Sequence, residues 1–411
     1  MKKIQENLMN LSDDSFGDSK LFFLNNFVFD NKKDINAFFR AFIIALAYQP
    51  SSKLILLKLI NEIIDCIPSP NIALFKIELM STVFNLPGPT SSGLFLLYHL
   101  LEKSFFTQSE IIGQIRKYRF YNIKKKSNLM LCYIWFSPEI YKENFNFYSM
   151  LKEDCSKYAQ IYPNDHLVSY FVKNETELIQ NDFEMIKKFR KNGHNHDYLY
   201  LLLANDDITS LQYVAAQPDF NYNRKILPSF FEICPFAQNS PSLIEVAALY
   251  GSINCFKYLL LNGSSLYLLD ETNASLPQYA VAGGNLEIIR ICHQKKLSFN
   301  GTSQIAALFH RNDILNWLLE DEGQEIESCI KNRGTVIQNA ATTNNIIIIE
   351  QCIENDVDVN DGTLNRTSLH ISCELGNIES VMLLLSADNV NLNACVLCNI
   401  LKSLFLYLIG F

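Results

Sequence analysis

Five copies of one short pattern, spread over residues 242–393, constrain this chain more than any other feature. The first copy reads Ser242-Leu243-Ile244-Glu245-Val246-Ala247-Ala248-Leu249-Tyr250-Gly251, followed by Tyr258-Leu259-Leu260-Leu261-Asn262-Gly263. The last reads Thr367-Ser368-Leu369-His370-Ile371-Ser372-Cys373-Glu374-Leu375-Gly376-Asn377, followed by Met382-Leu383-Leu384-Leu385. The small residue in sixth place falls at Ala247, Ala280, Ala306, Ala340 and Ser372, so successive copies lie 33, 26, 34 and 32 residues apart. So short a unit cannot bury its own apolar face, and the copies must stack to share a core. Glycine and proline are scarce, 15 and 12 of 411 residues, which favours long helices over a turn-rich β fold. The chain is 48% hydrophobic and 19% charged, which argues against disorder.

The period near 33 and the Thr-Pro-Leu-His-x-Ala-like opening resemble the ankyrin repeat. The resemblance implies two antiparallel helices and a finger loop per unit, in an all-α solenoid of helix-turn-helix repeats. Gly251, Gly284 and Gly376 fall where the first helix should end in a left-handed residue. His310 and Asn344 hold that place in copies three and four, and His adopts the conformation less readily, so copy three should be locally weaker. The pairs Leu259–Leu260, Leu318–Leu319 and Leu383–Leu384 should face the stack, with Cys292 and Cys352 at the same position. Thr367 and His370 match the family's hydrogen-bonding pair, and copies one to four lack both the Pro and the His, so their loops should be less firmly held. Copy three is also shortened, which puts its finger loop in doubt.

Ahead of the array, residues 1–165 read as a helical N-terminal domain. Helical candidates run over 52–67, 71–85, 93–106 and 138–155, broken at Pro68 and Leu86-Pro87-Gly88-Pro89, and no period joins them. Residues 166–241 form a transitional region. Within it, Asp206-Asp207-Ile208-Thr209-Ser210-Leu211-Gln212-Tyr213-Val214 looks like the second helix of a degenerate repeat, and Asp219-Phe220-Asn221-Tyr222-Asn223 like its closing loop. This arrangement is similar to the domain of unknown function that precedes ankyrin arrays in parabasalid protists. Residues 394–411 are an apolar C-terminal tail, read as a final helix on copy five or an incomplete cap; Lys402 argues against a membrane anchor.

Charge divides the chain. Residues 1–200 carry 24 Lys/Arg against 21 Asp/Glu, whereas residues 201–411 carry 11 against 22. An acidic array repels phosphate backbones, which disfavours nucleic acid and strongly acidic partners and favours a neutral or basic protein surface. The eleven cysteines lack a regular disulfide spacing and read as free thiols of a reducing, intracellular and cytoplasmic setting. No secretory signal and no uncharged apolar stretch of about 20 residues is visible.

Catalytic chemistry finds no foothold. Gly88-Pro89-Thr90-Ser91-Ser92-Gly93 has the glycine spacing of a phosphate cradle, but Leu94-Phe95 replace its Lys and Ser/Thr. Gly283-Gly284-Asn285 reads as an inter-helix turn, His194 and His196 as a solvated loop, and Cys395 and Cys398 as an isolated pair. The run Arg116-Lys117-Tyr118-Arg119-Phe120-Tyr121-Asn122-Ile123-Lys124-Lys125-Lys126 could clamp a nucleic acid or end a helix with a wet basic face. No metal, cofactor or small-molecule substrate is expected.

The resemblance implies a non-catalytic scaffold that binds a protein through the concave face and finger loops. The contact positions it carries over are Leu249, Tyr250, Leu308, Phe309, Thr342, Thr343, Glu374 and Leu375, with Tyr267, Asp270 and Asp361 on candidate fingers. Tyr250 and Phe309 stand out as aromatic anchors, unless they pack on a neighbouring loop. An adaptor whose N-terminal block docks a larger complex, such as a ubiquitin ligase, while the array selects a client is the alternative. An enzyme within the block is more remote.

Overall fold

The computed structural model of the protein describes residues 1–26, 30–85, 88–121, 126–330, 333–363 and 366–392. The C-terminal tail with Cys395 and Cys398, and the side chains of residues 121–126 in the basic run, lie outside the described residues.

Eleven helices among the described residues build the N-terminal block. They are α1 (Lys2–Met9), α2 (Phe16–Asn26), α3 (Lys32–Tyr48), α4 (Lys53–Asp65), α5 (Ile72–Phe84), α6 (Ser91–Glu102), α7 (Gln108–Tyr121), α8 (Lys126–Glu143), α9 (Phe145–Ile161), α10 (His166–Leu178) and α11 (Gln180–Arg190). Aromatic rings dominate the core: Phe23, Phe38, Phe39, Phe42, Phe75, Phe95 and Trp135 are buried, many in edge-on or tilted pairs. The stretch 138–155 is not one helix. Pro138 sits inside α8 beside a kink at Phe136, and Asn144 then caps α9 by accepting from the Phe147 amide. The block's core also continues past residue 165, through Phe171, Phe183 and Ile186.

The repeats follow as five helix pairs: α14 (Leu243–Tyr250) with α15 (Ile253–Leu261), α16 (Leu276–Gly283) with α17 (Leu286–Gln294), α18 (Thr302–Leu308) with α19 (Asn312–Glu320), α20 (Val336–Thr342) with α21 (Ile346–Glu354), and α22 (Ser368–Leu375) with α23 (Ile378–Leu385). A further pair, α12 (Tyr198–Ala204) and α13 (Ile208–Ala215), packs on α14 and α15 as the repeats pack on one another. The first helices of the pairs form an inner row. Paired small residues such as Ala247–Ala248, Ala306–Ala307 and Ala340–Ala341 are buried there and let neighbours approach. Only one leucine of each expected pair enters the core: Leu259, Leu318 and Leu384 are buried, their partners half-buried. Cys292 and Cys352 fill the same slot as free thiols, and burial pushes both up to about 12.

Candidate partner-binding surface

Each repeat has two edges, one at the turn between its helices and one at the finger loop, and a different side-chain ladder staples each. On the turn edge, Gly251, Gly284, His310, Asn344 and Gly376 all have positive φ, from 54° to 79°. His310 is not a loose substitute. Its buried ring hydrogen-bonds the Thr343 carbonyl of the next repeat at 3.1 Å, and burial holds it neutral, down at about 4. The residue after each turn reaches back one repeat. Asn285 donates to the Gly251 carbonyl, Arg311 to those of Ala282 and Gly283, Asn345 to Ala307 and Asn377 to Ala341. These bonds satisfy carbonyls that a helix end leaves orphaned. Gly283 is required by proximity, since a Cβ would lie 2.2 Å from the Ala248 carbonyl oxygen.

On the finger edge, the missing His is replaced rather than lost. Four inner helices open with a capping box: Ser242 with Glu245, Ser275 with Gln278, Thr335 with Gln338 and Thr367 with His370. The Gln side chains go further and donate to the next loop. Gln278 bonds the Asn300 carbonyl, Gln304 that of Ser328 and Gln338 that of Arg366, at 2.6–2.8 Å. The openings of these copies are therefore tied, contrary to the expectation from the absent Pro and His. Glu245 is the exception: a carboxylate has no proton to donate, its Oε1 is buried without a partner, and burial raises it to about 7. The short interval removes a finger between α17 and α18, where only residues 295–301 intervene. The longer loop before α20 carries two short antiparallel strands, β1 (Cys329–Ile330) paired with β2 (Gly334–Thr335).

The N-terminal block is docked on the turn edge. Gln49 donates to the Phe309 carbonyl at 2.9 Å, Arg40 to that of Gly376 at 2.8 Å, and Gln5 to that of Asn344. Lys2 pairs with Glu350. A connecting segment ties both bodies: Phe230, Phe231 and Ile233 join the block's core, whereas Cys234, Phe236 and Ala237 join the array's. At the seam, buried Lys53 donates to the Gly193 carbonyl and to His194 Nδ1, which also meets the Tyr250 hydroxyl at 2.9 Å. Tyr250 continues to Tyr200, and Tyr200 donates to Glu232 at 2.7 Å. His194 and His196 are thus not a solvated loop; His196 bonds Ser229 and stacks on Phe189.

This docking decides where the expected contact residues lie. Tyr250 is 7% exposed and Phe309 fully buried, its ring edge-on to Tyr48 and Phe236. Both aromatics are covered, and what covers Phe309 includes the chain's own block. Leu249 and Thr343 are buried as well; Leu308, Thr342 and Leu375 are half-buried. Asp270 is an internal brace, accepting from the Thr272 and Ala274 amides and from the Tyr279 hydroxyl. The finger edge differs. Tyr267 is 78% exposed and Asp361 is exposed there, whereas Glu374, in the last turn of α22, is exposed and pairs with Arg366. Sequence reasoning missed Gln5, Arg40, Gln49 and Lys53, because their partners are backbone carbonyls and a histidine far along the chain.

Of the basic run's described side chains, Arg119 pairs with Asp154 at 3.0 Å, Arg116 lies over the Phe147 ring and Tyr118 is buried. Among the described residues no group of three His, Cys, Asp or Glu is placed to hold a metal, and no single helix is long and apolar enough to cross a membrane.

Residues 303–394 match the family described as ankyrin repeats (3 copies). The array is an ankyrin-type α-solenoid. Solved structures similar to the chain include the human ASB11 ankyrin repeat domain, at 20% identity over 48% of this chain and 86% of that one, TM-score 0.36. An ankyrin repeat domain from Acinetobacter baumannii AYE is 21% identical over 46% and 96%, TM-score 0.30. A complex of the Bd0816 predatory endopeptidase of Bdellovibrio bacteriovorus with its immunity protein Bd3460 matches at 12% identity over 46% and 97%, TM-score 0.32. No curated protein matches the chain. Ankyrin repeats generally mediate protein–protein interaction.

Proposed function

We propose that the protein is a non-catalytic scaffold that binds a partner protein through the finger edge of its ankyrin array. The observation that carries this reading is the contrast between the two edges: the turn edge is occupied by the chain's own block, while Tyr267 and Asp361 are exposed on the fingers. An exposed tyrosine offers a large amphipathic contact at low entropic cost. The array's acidic balance, 11 Lys/Arg against 22 Asp/Glu over residues 201–411, suits a neutral or basic partner surface. The described cysteines are all free thiols, which suits a reducing, intracellular setting. In the adaptor version of this scaffold, the block would dock a larger complex through the surface it turns away from the array.

The test is affinity purification of the full chain with mass spectrometry, comparing wild type with a variant carrying Tyr267→Ala and Asp361→Ala. The variant should melt within a few degrees of wild type and lose a client, with Tyr267→Ala alone weakening it by more than about 1 kcal/mol. Identical partner sets in equal yield would remove the finger edge from the interface.

A further inference from the structure

A cleft of about 350 Å³ lies at the seam between block and array, on the side away from the fingers. Its walls are mostly apolar: Ile43, Ile44 and Ala47 of α3, Val83 of α5, Ile233 of the connecting segment and Leu375 of α22. Size, apolar lining and position between two bodies are the usual attributes of a small-molecule site. Polar groups converge on it from two sides. Arg40 lines it from α3, with Nε donating to Asn36 at 2.8 Å and Nη1 to the Gly376 carbonyl at 2.8 Å. Its Nη2 has no hydrogen-bond partner among the described residues. Opposite, Ser91 and Ser92 open the twelve-residue helix α6. Thr90 takes the Gly93 amide with its hydroxyl and the Leu94 amide with its carbonyl, which leaves the first-turn amides of Ser91 and Ser92, two residues that line the cleft, without a partner among the described residues.

The acids nearby limit what the cleft can take. Glu232 also lines it, but its carboxylate accepts from the Asn195 and Cys234 amides and from Tyr200. Glu379 accepts from Asn344 at 3.0 Å. Their negative charge disfavours a phosphate dianion, and the apolar walls disfavour a heavily hydrated head. A single planar carboxylate matches one guanidinium edge and two amides.

We propose that this cleft binds a small amphipathic carboxylate, its anionic end held by Arg40 and the start of α6 and its apolar body filling the space lined by Ile43, Ile44 and Leu375. Because α3 and α6 belong to the block and α22 to the array, the ligand touches both bodies. It stabilises their docked arrangement by the linkage that any native-state ligand provides. The site is remote from the fingers, so it stands or falls independently of the scaffold reading.

Decanoate, with decanol and decylamine as matched probes, is titrated into the full chain by calorimetry and thermal melting. One decanoate should bind per chain at least about tenfold tighter than decanol, and raise the melting temperature. Arg40→Gln keeps a donor for Asn36 but removes the guanidinium's charge, and should level decanoate with decanol. Leu375→Trp fills the cleft and should abolish binding of both, with an unchanged circular dichroism spectrum; if it perturbs the fold, Arg40→Gln decides. Absence of decanoate binding, equal binding of the three probes to wild type, or a decanoate preference that survives Arg40→Gln would overturn the assignment.

Discussion

The N-terminal block and the ankyrin array bury comparable cores by opposite means. The array repeats small devices: a capping box, a buried alanine pair, a left-handed turn residue and two ladders to the next unit. Each contributes little alone, and neighbours share the load. The block has no repeated device. Its helices surround edge-on and tilted aromatics and an enclosed ion pair, in which both terminal nitrogens of Arg190 meet the two oxygens of Glu139 at 2.6 and 2.8 Å. Arg190 also lies over the Tyr98 ring at 4.1 Å and donates to the Trp135 carbonyl. Stability is therefore distributed in the array and concentrated in the block.

The sharpest way to break that comparison is Arg190→Ala, which leaves Glu139 buried and unpaired. It should cost about 3–5 kcal/mol in urea unfolding. A loss below about 1 kcal/mol would show that the block, too, spreads its stability.

Acid tests the array at His310. Folding holds His310 neutral down to about 4, against an ordinary 6.5 for an unfolded histidine. Between these values the unfolded state binds more protons, so stability is complete above 6.5 and falls as pH drops toward 4. The loss should reach about 3 kcal/mol. His310→Asn places the residue of Asn344 in the same turn, so the difference between variant and wild type should track pH across that window. A difference that is flat with pH would mean that His310 titrates as if unfolded.

Glu245 should respond in the opposite direction. Its carboxyl is raised to about 7 from 4.5, so it withdraws stability as pH rises from 4.5 through 7. Glu245→Gln gives the first inner helix the side chain used at Gln278 and Gln338. It should stabilise the chain by about 1–2 kcal/mol at pH 8 and leave it unchanged at pH 4. Melting curves at the two pH values check this, and equal shifts at both would sink the explanation.

The smallest effect belongs to a single cap. Thr335→Ala removes the hydroxyl that accepts from the Gln338 amide, and should cost about 1 kcal/mol by chemical denaturation. A cost equal to that of Arg190→Ala would erase the contrast between the two regions.

Much of the array was legible before any coordinates. The alanine spacing set the inner row, the glycines set the turns, and Cys292 and Cys352 were read as core thiols. Capping by Glu245, Gln278 and Gln338 was missed because attention to the absent His hid what replaced it; the Ser/Thr-x-x-Glu/Gln pattern was the available signal. Tyr250 and Phe309 read from the sequence as aromatic anchors for a partner, or as packed on a neighbouring loop; nothing local signals that the chain's own N-terminal block covers Phe309. Asp270 resembled a free fingertip acid, yet it braces its own loop. The block was legible only as helices, since aromatic cores leave no period once their partners lie far apart in sequence.

The sequence by itself determined the solenoid, because each helix pair depends on contacts within one repeat and with the next. Only the tertiary structure decided that the block closes the turn edge, leaves the fingers open and encloses a cleft at the seam. Those outcomes rest on meetings such as Gln49 with the Phe309 carbonyl and Arg40 with that of Gly376, some 260 and 336 residues apart. A backbone carbonyl carries no residue-specific mark, so no local pattern announces such a partner.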